Sequence, residues 1–220
     1  GKAAAPQPKT KAKANARAKR DSAPAQVFRA RRQQMGSMII LMAYGKNERK
    51  IRAAFTKAFD EIERIEALFS LYRPSSQVVA INQQAGKQAV ALRDEVLEVL
   101  KLGLMLSKKT DGAFDVTYAV LSPLWNFEQE KQVRAIPSPA AVSKVLPLVG
   151  YKQLDLDLTK KTARLQKEKM SLGLGGIVKG YAADRALAVL RGAGVKNCLV
   201  YAGGDISVSG SKGPLPWVVG

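Results

Sequence analysis

The chain has no histidine and only one cysteine, Cys198, among its 220 residues. A single thiol cannot form an internal disulfide, and the missing histidines and further cysteines rule out a zinc cluster. Cys198 lies in the apolar stretch NCLVYAGG, which predicts a small buried core residue rather than a reactive thiol. No apolar run approaches the roughly 20 residues of a membrane-spanning helix, so no such span is predicted.

Acidic residues are scarce: 18 stand against 36 lysines and arginines, which gives a formal net charge of +18. Residues 1–32 hold ten of the basic residues and one acid, Asp21, in an Ala/Lys/Pro-rich stretch. This composition predicts a disordered basic tail over residues 1–34. The tail is interpreted as a spacer or as a weak contact with an anionic membrane. No specific nucleic-acid binding is expected, because no aromatic residue interleaves the charges before Phe28.

Residues 35–220 form one predicted domain, since 46% of the chain is hydrophobic. Apolar residues every three or four positions predict a long amphipathic helix that starts at Asn47, and a second helix ends at Asp111-Gly112. Alternating residues around Lys160 predict a hairpin. Helices and strands follow one another without a regular βαβ repeat, so we predict an α+β fold of mixed sheets and packed helices. Because the chain starts with Gly1 rather than Met, we also expect a processed or trimmed product.

The stretch LGLGGIVKGYAAD, residues 172–184, is the richest in glycine. It is neither a dinucleotide fingerprint, because Val178 occupies the third glycine position, nor a P-loop, because Tyr181 stands where lysine is required. Gly175 and Gly176 would still allow a ligand to approach the backbone closely. Two interpretations remain open: an anion site or a close packing turn.

Lys179 is predicted to lie one residue before a helix N-terminus, a place that favours phosphate. If the stretch is only a packing turn between a strand and a helix, the same lysine is a solvated surface residue.

Five segments in order resemble one family. They are QMGSMIIL, FSLYRPSSQVVAINQQAG, DGAFDVTYAVLSPLWNF, LGLGGIVKGYAADRALAVL and NCLVYAGGDI. Over roughly residues 35–220 the chain is similar to the ApbE family of FAD:protein FMN transferases, once described as thiamine-biosynthesis lipoproteins.

The resemblance implies an α+β domain that binds FAD as substrate together with Mg²⁺. It implies transfer of FMN from FAD to a threonine or serine hydroxyl of a target flavoprotein, with release of AMP. Some members hydrolyse FAD instead. Members resemble exported proteins, often lipid-anchored, which implies a periplasmic or cell-envelope location.

The resemblance also implies site residues. Gly176 would contact the metal through its carbonyl, and Asp205 would line the same cleft. The residues implied to bind the cofactor are Met35, Tyr72, Ala113, Phe114, Asp115, Gly173 and Lys179.

Two features depart from the family pattern. The family usually has aspartate at the position of Gly173. Its histidine motif and its Asp-x-x-x-Thr/Ser/Ala metal motif would lie beyond Gly220, so the catalytic residues are unknown and the domain is expected to be incomplete at its C-terminus. The alternative to an active transferase is therefore an inactive or truncated FAD-binding remnant with a basic tethering tail.

Overall fold

The computed structural model describes residues 24–125 and 136–219. The chain divides into two compact units. The first contains the residues up to Glu63 together with those from Gly180 onward, and the second is Arg64–Lys179.

The first unit contains a four-stranded antiparallel sheet. In order across the sheet its strands are β1 (Gln26–Gln34), β2 (Ser37–Gly45), β6 (Cys198–Ala202) and β7 (Asp205–Ser209). Residues Met35 and Gly36 connect β1 to β2 in a two-residue turn, and both have positive φ, at 53° and 65°. Such turns match the right-handed twist of paired strands.

Strand β1 corrects the prediction of a disordered tail over residues 1–34. The tail boundary at residue 34 is wrong, because residues 26–34 pair along their whole length with β2. Phe28 is buried, and the guanidinium of Arg32 lies 4.6 Å from the centre of the Phe59 ring. The arginines of β1 are therefore those of an ordered edge strand. The rest of the predicted tail, residues 1–23, lies outside the described residues.

Helix α1 (Glu48–Phe69) confirms the predicted amphipathic helix. The Asn47 side chain accepts a hydrogen bond from the Lys50 N–H at 2.9 Å, which caps the helix as predicted. Ile62 and Ile65 are completely buried. The later helix α6 (Gly175–Gly192) crosses from the second unit into the first.

The second unit carries a smaller antiparallel sheet with the strands β3 (Val90–Ala91), β4 (Leu154–Asp157) and β5 (Thr162–Leu165). Their order in the sheet is β3-β5-β4, and β4 and β5 form the predicted hairpin. Its helices are α2 (Gln77–Gln83), α3 (Asp94–Lys109), α4 (Ser122–Trp125) and α5 (Pro139–Val145). Short 3₁₀ turns lie at Ala119–Leu121, Leu146–Leu148 and Tyr151–Gln153. The predicted α+β class is confirmed.

Among residues 24–125 and 136–219, none of the helices is both long and apolar enough to cross a membrane.

Candidate functional site

A cleft of about 870 Å³ opens in the second unit. Its volume lies in the range of roughly 300–1,000 Å³ typical of small-molecule sites. Apolar, aromatic and amide side chains share its walls, and two of them are tyrosines. The lining residues are Leu71, Tyr72, Val79, Asn82, Gln83, Tyr118, Ala119, Ser122, Pro123 and Ser171.

Two serines shape the loop that carries Tyr72. The Ser70 hydroxyl accepts hydrogen bonds from the N–H groups of Tyr72, at 3.0 Å, and Arg73, at 3.2 Å. The buried Ser76 hydroxyl donates to the Ser70 carbonyl at 2.5 Å and caps α2 by accepting from the Val79 N–H. The loop backbone is thus fixed from within, while the Tyr72 side chain is 74% exposed at the cleft.

Asn82 connects α2 to the glycine stretch. Its amide oxygen accepts from the Leu172 N–H at 2.7 Å, and its amide nitrogen donates to the Leu172 carbonyl at 3.1 Å. Sequence reasoning did not single out Asn82 as a site residue, although the Ile-Asn pair in the second matching segment was a signal. These two hydrogen bonds fix the start of the glycine stretch to a helix that lines the cleft.

Asp115, which the family resemblance implies to bind the cofactor, accepts hydrogen bonds from other residues of the protein. Its Oδ1 accepts from the Thr117 N–H at 2.8 Å and from the Thr117 hydroxyl at 2.6 Å. Its Oδ2 accepts from the Tyr151 N–H at 2.7 Å, and Thr117 Oγ1 accepts from the Gly150 N–H at 2.8 Å. The carboxylate therefore holds two loops together. Its structural role is to join residues 115–117 to the loop at Gly150 and Tyr151.

The glycines of residues 173–176 make room for aromatic rings. A Cβ at Gly173 would lie 2.8 Å from Ala119 Cβ and 3.0 Å from the Tyr118 ring, and a Cβ at Gly176 would lie 3.1 Å from the Phe114 ring. Neither glycine has a φ in the left-handed region. Close packing, not an unusual backbone conformation, is thus what requires glycine here. The structure also brings two residues implied to form the site, Phe114 and Gly176, into proximity.

The predicted position of Lys179 relative to its helix is wrong. Helix α6 begins at Gly175, so Lys179 lies in its second turn rather than before its N-terminus. Because of helical geometry, the free N–H groups belong to the first turn instead. Leu174, which precedes the helix, has no side-chain oxygen to cap them, and both Gly175 and Gly176 are exposed. The anion-attracting part of this helix is therefore the glycine pair.

Two residues implied to form the site lie in the first unit. Met35 occupies the turn between β1 and β2 and is half-buried. Asp205 begins β7, and a Cβ at Gly180 would lie 3.9 Å from its carboxylate. The other residues, from Tyr72 to Lys179, belong to the second unit. Their assignment to a cofactor remains a prediction.

Magnesium does not fit the described side chains alone. Within the part of the chain that the structure describes, no three His, Cys, Asp or Glu residues cluster closely enough to hold a metal ion. Gly176 lies in the first turn of α6, where its carbonyl is directed along the helix toward the N–H four residues on. Mg²⁺ prefers carboxylates and water in a near-octahedral arrangement. These residues therefore provide no complete magnesium site.

Comparison with known proteins gives a consistent result. The profile of the ApbE family matches residues 35–220. An FAD:protein FMN transferase from Klebsiella pneumoniae is 32% identical over 186 residues, which are 84% of this chain and 55% of that protein. The chain thus spans about half the length of the curated relatives it matches.

Solved structures have the same fold. The ApbE protein of Thermotoga maritima superposes with a TM-score of 0.78 at 30% identity, over 89% of this chain and 63% of that one. The flavin transferase ApbE from Vibrio cholerae superposes with a TM-score of 0.79 at 24% identity, over 88% of this chain and 63% of that one. Five segments match in order, the family profile covers residues 35–220, and the fold is the same. The chain therefore belongs to the ApbE family.

Proposed function

We propose that this chain is the FAD-binding part of an FAD:protein FMN transferase. Such an enzyme transfers FMN from FAD to a threonine or serine hydroxyl of a target flavoprotein and releases AMP. The relative from Klebsiella pneumoniae, an FAD:protein FMN transferase that is 32% identical, supports this proposal.

One observation carries the proposal: Tyr118 connects the cleft with the start of α6. Tyr118 lines the cleft, and its hydroxyl would lie 3.4 Å from a Cβ at Gly175. FAD has planar rings and a pyrophosphate, so it needs aromatic surface next to an anion-attracting group. The tyrosines supply the aromatic surface, and the exposed glycine pair in the first turn of the 18-residue helix α6 supplies the anion-attracting group.

The steps of FMN transfer define what the site must do. The hydroxyl oxygen of the acceptor attacks the phosphorus of the FMN half, and the bond from that phosphorus to the AMP oxygen breaks. The hydroxyl proton passes to a base, and AMP leaves. The described residues contribute binding and orientation, which are a large part of catalysis in phosphoryl transfer. Neither the base nor the Mg²⁺ ligands are assigned to them.

The acceptor and the location belong to the same proposal. We infer a flavoprotein acceptor of the cell envelope and a periplasmic or envelope location for the chain. The seven basic residues among residues 1–23 support a weak contact with an anionic membrane. These assignments follow from the family resemblance and from charge.

FAD titration of the 220-residue chain, followed by flavin fluorescence with and without Mg²⁺, tests the proposal. We expect saturable binding that Tyr72→Ala weakens. Leu158→Ala is the control, because Leu158 is 50% exposed and lies in the β4–β5 turn, away from the cleft. Saturable binding supports the proposal, and AMP release in the presence of acceptor and Mg²⁺ would exclude the alternative, an inactive FAD-binding remnant. No binding would overturn the proposal.

A further inference from the structure

Tyr118 occupies a fixed place in the cleft wall. Its ring fills the space where a side chain at Gly173 would otherwise stand, because Cε1 and Cζ lie 3.0 Å from the position of a Cβ there. The Tyr118 ring thus packs directly against Gly173, which has no side chain to displace it. The side chain is still 38% exposed, and it lines the cleft.

The backbone of Tyr118 is fixed as well. Its N–H donates to the Asp115 carbonyl at 3.3 Å, and its carbonyl accepts from the Leu121 N–H at 2.9 Å. It forms a parallel bridge with Ser171, while the Gly173 N–H donates to the Val116 carbonyl at 2.8 Å. Hydrogen bonds therefore fix the backbone of Tyr118, and packing against Gly173 fixes the position of its ring.

We propose that Tyr118 is a ligand-contacting residue that binds a planar aromatic ring of FAD. This inference rests on the proposed function and extends it to a specific residue. A ring with a fixed position loses little freedom when it binds a ligand, and aromatic pairs gain energy beyond the area they bury. Tyr72 contributes a second ring from the loop between α1 and α2. The cleft thus combines one rigid tyrosine with one exposed tyrosine.

Variants of Tyr118 in the 220-residue chain test the proposal by FAD titration. We expect Tyr118→Val to weaken FAD binding about three- to tenfold, the order that aromatic pair energies imply. Tyr118→Phe keeps the ring and is expected to bind within about twofold of the parent chain on the same basis. Tyr201→Val is the matched control, because Tyr201 is a half-buried strand residue outside the cleft.

Parallel titrations with FMN and with AMP identify the ring. Loss of affinity for FMN alone assigns Tyr118 to the flavin, and loss for AMP alone assigns it to the adenine. Unchanged FAD affinity in Tyr118→Val, with the parent chain binding FAD, overturns this inference and leaves the proposed function standing. Equal losses in Tyr118→Val and Tyr118→Phe overturn contact through the ring. A parent chain that binds no FAD overturns both proposals.

Discussion

The side-chain amide of Asn82 pairs with both backbone groups of Leu172, at 2.7 Å and 3.1 Å, across 90 residues of sequence. Leu172 is completely buried, so both of its backbone groups need a hydrogen-bond partner within the protein. Asn82 is itself a cleft residue. A single amide thus connects the helix that lines the cleft with the glycine stretch.

Replacing Asn82 should destabilise the protein. We expect Asn82→Ala to lower the free energy of unfolding by about 1–3 kcal/mol, because it leaves a buried N–H and a buried carbonyl without partners. Asn82→Asp retains the acceptor for the Leu172 N–H but brings a carboxylate against the carbonyl, so it should not restore stability. Urea unfolding followed by circular dichroism measures both variants.

The neighbouring Gln83 provides the control for this experiment. Its side chain is exposed, and Gln83→Ala is expected to change stability by no more than about 0.5 kcal/mol. Equal midpoints for Asn82→Ala and Gln83→Ala would show that the amide pair contributes nothing to stability.

The carboxylate of Asp115 should matter for stability without any ligand. Asp115→Asn has one acceptor oxygen in place of two, so it cannot accept from both Thr117 and the Tyr151 N–H. We expect a loss of about 1–3 kcal/mol, since a hydrogen-bonded loop junction is left incomplete. Thermal unfolding in the absence of FAD measures it.

Asp111→Asn is the matched control for Asp115→Asn. Asp111 is exposed and has a φ of 49°, a conformation that asparagine tolerates as well as aspartate does. If Asp115→Asn unfolded at the temperature of the parent chain, the two loops would not depend on this carboxylate.

The fold was predictable where the pattern was local. The three- and four-residue spacing of apolar side chains identified α1, and the alternation on either side of Lys160 identified the β4–β5 hairpin. Strand β1 was missed because its arginines gave it the composition of a disordered segment. Only its pairing with β2 and the stacking of Arg32 on Phe59 show why these charges suit a strand.

The site was predictable only in part, for a related reason. Motif segments pointed to Tyr72, Phe114 and the glycine stretch. They did not reveal that Asp115 bonds a residue 36 positions away or that Asn82 bonds one 90 positions away. Hydrogen bonds between residues so far apart in sequence depend on tertiary packing, and the spacing of apolar residues does not predict them. The packing of the Tyr118 ring against Gly173 likewise follows only from the tertiary structure.

A side chain at position 173 should be poorly tolerated. Gly173→Ala would place a Cβ 2.8 Å from Ala119 Cβ, which cannot rotate away. We expect a loss of about 1–3 kcal/mol from overpacking. Gly173→Asp, which has the residue usual in the family, should cost at least as much here because it is larger. Urea unfolding measures both.

Gly192→Ala separates overpacking from a general effect of replacing glycine. Nothing lies within 4 Å of a Cβ at Gly192, which is the last residue of α6. Alanine should therefore be neutral or stabilising there, by up to about 1 kcal/mol. Stability of Gly173→Ala equal to that of Gly192→Ala would contradict the packing of Tyr118 and Ala119 against position 173.

The single thiol should be unreactive in the folded chain. Cys198 is completely buried, and this burial raises the pKa of its thiol from 9.0 to about 11, with Arg191 opposing the shift. At pH 8 the thiol is protonated and shielded, so a thiol reagent such as Ellman's should label it only after unfolding in urea. Rapid labelling of the folded chain at pH 8 would contradict this packing.

The same pKa shift predicts how stability changes with pH. Above pH 9 the thiol of the unfolded chain loses its proton, whereas that of the folded chain keeps it up to about pH 11. The folded state therefore binds more protons in this window, and its stability should fall as the pH rises from 9 to 11. Lysines and tyrosines titrate there too, so the measurement is the difference between the parent chain and Cys198→Ala. That difference should change with pH between 9 and 11 and be constant below pH 8; a constant difference throughout would mean that the thiol ionises equally in both states.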